Sequence, residues 1–377
     1  MRREPKIEIP HSFRYDPKAS YIRVALHFRK TVLESVIKRP TFWVMCLFHA
    51  IVKYIFSATS LSHGVFDKWY LAWKPVSCVA AMTTFFLVFY TTECWARYCE
   101  LYHASLELMG GTYDYLLDMK VYTSRASKEH LRLISRYLSA SVAMLFYELH
   151  SDSDSNKWHF LRELGLLKQD EVDLLKLKPT TERITILMGW VASVSSEAHA
   201  QATELKHCAG GLREGIMKSC WHLRSQQTQL VDDHVFTVPF PYFHLVNTMV
   251  LINTMVWAYN FGTAPSLIWS GLFVISTAIF LGMMELASCF ADPFGDDDVD
   301  FPLAHWLSAW LQQVCSLVEC EDEHFDQLYP PCLRSAQIIL GEDDESTFNK
   351  VQYFDLDNPS GAGVTSTTRA TLGGLWG

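Results

Sequence analysis

Between Asp233 and Glu285 the chain contains no Asp, Glu, Lys or Arg. A soluble domain needs charges to solvate its outer face, so a run of this kind restricts the chain to folds that meet lipid. Asn260–Ser266, with Gly262 and Pro265, supplies a turn that divides the run in two. Val238–Tyr259 and Leu267–Ala291 are then predicted as membrane helices, each long enough to cross ~30 Å of hydrocarbon. Two further segments follow the same logic. Pro75–Thr92 carries no charge and is bracketed by Lys74 and Glu93, and Thr41–Ser57 is apolar apart from His49 and Lys53. The lysine can snorkel or find a partner.

The second of these four segments is unlike the others. Ser77, Cys78, Ala80, Ala81, Thr83, Thr84, Thr91 and Thr92 make it rich in small and hydroxyl side chains, which lipid does not require. Such residues suit close helix packing or a water-lined pore, and the sequence leaves both readings open.

Four crossings put both ends of the chain on one side. Residues 1–40 are basic, with Arg14, Lys18, Arg23, Arg29, Lys30, Lys38 and Arg39, so that side is read as the cytoplasm. Tyr21, Val24, Ala25, Phe28 and Val32 recur at helical spacing, and the segment is expected to be an amphipathic helix at the membrane surface or against a cytosolic bundle. The expected fold class is therefore an all-α multi-pass membrane protein. It comprises the N-terminal segment 1–40, membrane helices 1 and 2 within 41–98, a cytosolic helical domain over 99–237, membrane helices 3 and 4 within 238–291, an acidic turn and cytosolic helix over 292–330, and a C-terminal tail over 331–377. Within the cytosolic domain, Glu129–Tyr147 and Glu171–Leu177 are amphipathic, Gly210-Gly211 interrupts the pattern, and no strand signal occurs. Helix pairs separated by such a block are hard to seal as a monomer, and a homo-oligomer would let one helix per subunit line a shared path.

Several function classes find no support. A net charge of −9 gives a nucleic-acid partner no electrostatic help. The ten cysteines form no C-x-x-C pair, so zinc is not expected and the thiols are read as reduced. There is no glycine-rich phosphate loop or nucleophile elbow, and Met1–Pro5 opens no signal-peptide core.

The fourth apolar run ends in Asp292-Pro293-Phe294-Gly295-Asp296-Asp297-Asp298-Val299-Asp300, five carboxylates in nine residues. Pro293 and Gly295 force a turn. On any helix that starts there, Asp297 and Asp300 share a face and offer oxygen to a hard cation such as calcium; the alternative is a set of acids favouring the dipole of a helix N-terminus. The spacing is not that of an EF-hand loop.

This acidic stretch, continuing to Phe301, resembles the bestrophin family. So do Trp95-Ala96-Arg97-Tyr98, the stretch His159–Glu171 around Gly165, and Gly210-Gly211-Leu212-Arg213-Glu214-Gly215-Ile216, in family order. The resemblance covers most of residues 20–330. It implies a homopentameric anion channel for chloride or bicarbonate, with one axial pore, a narrow neck lined by the second membrane helix and a second cytosolic constriction. Anchored on Trp95, the neck positions fall on Ser77, Ala81 and Phe85. Two of the three are small where family members carry bulky apolar side chains. The glycine-rich match makes Ile216 the candidate constriction. In animal members the acidic turn binds calcium through side chains matching Asp297 and Asp300 and through backbone carbonyls, including that matching Asp292. Phe301-Pro302-Leu303 looks more like the bacterial and plant members, which generally lack that dependence. The expected location is the plasma membrane, with the thylakoid or another internal membrane as the alternative.

Two rivals stand beside the channel. Glu204–His207 and Glu321–His324 are Glu-x-x-His pairs, the motif of di-iron helix bundles, which suggests a membrane oxidase. The other is a non-conducting membrane scaffold.

Overall fold

The computed structural model describes residues 20–25, 27–28, 31–58, 71, 73–123, 128–150, 154–204, 212–264, 266–295 and 299–319. Among them are twelve helices and no strand. Four helices are long and apolar enough to cross a membrane: α3 (Pro40–Ala58), the first part of α4 (Trp73–Thr123), α10 (Phe240–Thr263) and α11 (Leu267–Ala291).

The membrane helices pack closely because of what the sequence leaves out. α10 lies against α3, α4 and α11. At Gly262 a β-carbon would stand 2.7 Å from Val52 Cγ1, so only glycine permits this approach of α10 to α3. The polar residues of α3 are absorbed here. His49 donates from Nδ1 to the Ala258 carbonyl at 3.0 Å and stacks on Phe273, and Ser270 lies 3.0 Å from its Nε2. Lys53 donates to the carbonyls of Ala264 and Ser266, closing the α10–α11 turn.

The N-terminal segment differs from the single amphipathic helix predicted. It forms two short helices, α1 (Tyr21–Ala25) and α2 (Val32–Lys38). α2 packs on α11, where Gly282 faces Val32 and Val36. Arg39, just beyond it, pairs with Glu285 of α11 at 2.7 Å. That pairing neutralises the one carboxylate in the fourth membrane helix.

The second layer is built around α5 (Lys128–Leu149), which is buried on nearly every side. Small residues such as Ser135, Ser139, Ala140, Ser141 and Ala143 let neighbours surround it. α8 (Thr180–Glu204), α9 (Leu212–Val235), α12 (Leu303–Glu319) and the later half of α4 pack around this axis. α6 (Asp154–Glu163) and α7 (Gln169–Lys176) close one end, with Gly165 at φ 68° in the turn between them. Arg136 of α5 binds Glu171 of α7 at 2.7 Å, and Tyr137 donates to the same carboxylate. α4 runs unbroken through 51 residues, about 75 Å by helical rise, and so belongs to both layers.

Candidate functional site

The inner face of α4 packs on α10 and α11 through Val76, Thr83, Leu87, Tyr90, Cys94 and Tyr98. Its opposite face has no cover among the described residues of the subunit. Ser77, Ala81 and Phe85 stand on that open side at one-turn spacing. Ser77 is half-buried and donates to the Lys74 carbonyl, Ala81 is exposed, and Phe85 is 67 % exposed with only an edge contact to Phe86. Val79, Met82, Val88 and Phe89 widen the same apolar surface. No charge interrupts it between Lys74 and Glu93. Past the membrane, α4 exposes Glu93, Glu100, Glu107 and Asp114, seven residues apart and therefore in one row.

Ile216, the candidate cytosolic constriction, is 5 % exposed in the single subunit and packs in the main core with Cys220 and Leu223. The open face of α9 is instead made by Arg213, Glu214, Lys218 and Trp221.

The acidic turn also departs from the helical face drawn from spacing. α12 starts only at Leu303, because Pro302 keeps Phe301 extended, so Asp300 stands in the turn before the helix. Asp297 lies outside the described residues. Asp300 is 8 % exposed, and its carboxylate folds over Gly295. A β-carbon at Gly295 would stand 3.0 Å from Asp300 Oδ2 and 3.8 Å from the Asp292 carbonyl oxygen. Asp300 Oδ2 and the Asp292 carbonyl oxygen thus both lie beside Gly295, and oxygen donors of this kind are the ones calcium takes. Asp292 contributes its carbonyl there, while its side chain is exposed. Among the described residues no three His, Cys, Asp or Glu side chains form a metal cluster, so carbonyls and Asp297 would have to complete the set.

The residues that hold this turn carry no motif of their own. His150, at the end of α5, donates from Nδ1 to the Phe294 carbonyl at 2.7 Å, and the ring of His234 meets the Phe294 ring edge-on. Tyr98 donates to the Val299 carbonyl at 2.7 Å and packs on Phe301. Arg97 donates to the carbonyls of Asp233, His234, Phe236 and Ala291. Only the presence of Arg97 and Tyr98 in a recognised stretch singled out any of these four in sequence. Of the Glu-x-x-His pairs, Leu205–His207 and Glu321–His324 lie outside the described residues.

Four apolar helices, a continuous uncharged open face on one of them, and an oxygen-lined turn at the membrane exit define an all-helical integral membrane protein. A family profile described as "Bestrophin, RFP-TM, chloride channel" matches residues 16–320. The chain belongs to the bestrophin family. A bacterial bestrophin homologue from Klebsiella pneumoniae carrying one substitution is similar in structure at a TM-score of 0.63. It shows 18 % identity over 76 % of this chain and 98 % of its own. The same homologue solved by zinc phasing gives 0.59 at 18 % identity over 74 % and 97 %. A structure described only as a membrane protein gives 0.63 at 16 % over 74 % and 97 %. No curated protein matches. Family and fold together support an anion channel in general.

Proposed function

We propose that the chain assembles as a homopentamer around an axial pore whose neck is lined by α4, and conducts chloride, and bicarbonate, passively down its gradient. The observation that carries this reading is the uncovered, uncharged face of α4. Lipid contact alone would not select Ser77, Ala81 and Thr84 there, and a shared axial path gives that face a partner. An uncharged wall offers an anion no strong ligands, so ions cross partly hydrated, and weakly hydrated anions lose least on entry. Lys74, exposed at the start of α4, raises the local anion concentration by Coulomb attraction.

Calcium is the second part of the proposal. Asp300 and the Asp292 carbonyl, with Asp297, would hold it, and the ion would supply positive charge to a turn crowded with carboxylates. The plasma membrane is the proposed location, with the basic N-terminal segment on its cytoplasmic side.

The test is anion flux through purified protein in liposomes, with calcium and with chelator, beside a mass measurement in detergent. A pentamer passing chloride supports the channel. A stable monomer removes the axial path, and a pentamer that passes nothing supports a scaffold. Flux that is indifferent to calcium makes the turn a structural cap.

A further inference from the structure

The membrane bundle contains a polar layer that its own helices do not satisfy. Asn253 of α10 is fully buried, and neither its amide nitrogen nor its oxygen has a hydrogen-bond partner among the described residues. The same holds for the hydroxyl of Thr277 on α11, also fully buried, and for the indole nitrogen of Trp257. Other polar side chains of α4 and α10 show how unusual this is. Thr83, Thr84, Thr91, Thr92, Thr248 and Thr254 all turn back to the carbonyl four residues earlier. Asn247 does the same to Phe243, and Asn260 reaches the Leu71 carbonyl.

These groups share a depth in the bundle. Asn253 and Thr277 stand equally far from the turn that joins α10 to α11, about 15 Å along each helix. Trp257 is one turn from Asn253 and meets Phe280, almost one turn from Thr277, at 5.1 Å. The layer falls between two apolar clusters, one around Val246, Val250 and Met284 and one around Ala258, Phe261 and Phe273. Full burial inside one subunit means that neither lipid nor a neighbouring copy can reach these atoms. In hydrocarbon an unsatisfied amide is strongly unfavourable, so a small polar molecule is needed to complete them.

We propose that this layer is a binding site for structural water, bridging Asn253, Thr277 and Trp257 at mid-depth in the bundle. Water is favoured over a halide by the acceptor: Asn253 Oδ1 needs a donor, which a halide cannot supply. α4 runs antiparallel to α10, registered by Asn260 at Leu71 and Tyr242 at Phe86. Between those contacts, Asn253 falls at the depth of Ser77.

Solid-state NMR on the full-length protein in lipid, labelled with 15N-asparagine, reads the site directly. Expected is polarisation transfer from water to the Asn253 side-chain amide, assigned by its loss in Asn253→Leu and unchanged when bromide replaces chloride. In melting experiments Asn253→Leu and Thr277→Val each lower the midpoint, and the double variant melts no lower than the worse single one, because the water leaves with its second partner. Absence of transfer in the wild-type protein overturns the proposal without any variant. So does an amide shift on bromide exchange, which indicates an ion, or a rise in midpoint for Asn253→Leu alone, which indicates a dry and merely unsatisfied layer.

Discussion

Phe85→Ala separates a pore-lining side chain from a packed one. Phe85 is 67 % exposed, so roughly a third of its surface rests on its own subunit. Full burial of such a side chain contributes ~1.5–3 kcal/mol, and a third of that is ~0.5–1 kcal/mol. The variant should therefore fold, assemble and melt within a few degrees of the parent. Conduction should change far more. Ser77 and Ala81 are small, which leaves Phe85 as the one bulky side chain on the stripe and the tightest point of the wall. Its loss widens the path and lets anions keep more of their hydration. The assay is single-channel recording in planar bilayers with chloride, nitrate and iodide in turn. The parent should favour nitrate and iodide over chloride, and the variant should show higher conductance with a flatter anion order. An assembled variant with parental conductance and parental anion order would refute the placement of Phe85 on the axis. A preference for sodium over chloride would refute the channel reading altogether.

Ile216→Ala should act on the fold. Truncating so buried an isoleucine costs about 2–5 kcal/mol, so chemical or thermal unfolding should shift markedly while the anion order of whatever assembles stays parental. Asp300→Asn, tested for calcium binding by isothermal calorimetry and for flux with and without chelator, should abolish any calcium response, and a retained response would clear Asp300 of that role. Lys74→Ala should lower chloride conductance at low ionic strength and converge on the parent at high salt, where the Debye length falls to about 3 Å at 1 M; a deficit that persists in high salt would mean a contact role instead.

The membrane helices were legible because lipid demands a composition that nothing else does. Leu267–Ala291 is both the segment expected and the helix observed, since it starts after a turn and ends at a carboxylate. The extent of α4 was not legible in the same way. Charge returns at Glu93 and resembles a boundary, yet the acids occupy only the outer face while Cys94, Tyr98 and Leu101 continue the buried stripe. Rotation about a helix axis was the other gap. The glycine-rich match directed attention to the start of α9, but which of its side chains points to the core depends on α8 and α4, remote in sequence. In the acidic turn one local signal was visible: Pro302 defers the helix to Leu303, so Asp300 precedes it. Asn253 announced itself as polar, but only packing reveals that no described residue pairs with it.

The acidic turn and the proposed neck are joined by a single helix, α4. Arg97 gathers the last carbonyls of α9 and the Ala291 carbonyl at the end of α11, where helix dipoles favour a cation. One residue later Tyr98 holds Val299, so consecutive side chains of α4 grip both ends of the turn. Phe85 lies about 18 Å along the same helix from Arg97. Between them α4 contains no proline and no glycine, the residues at which helices bend. From Ser77 to Tyr98 the helix has no such residue, so the backbone positions of the proposed neck stay in fixed register with Arg97 and Tyr98 at the turn.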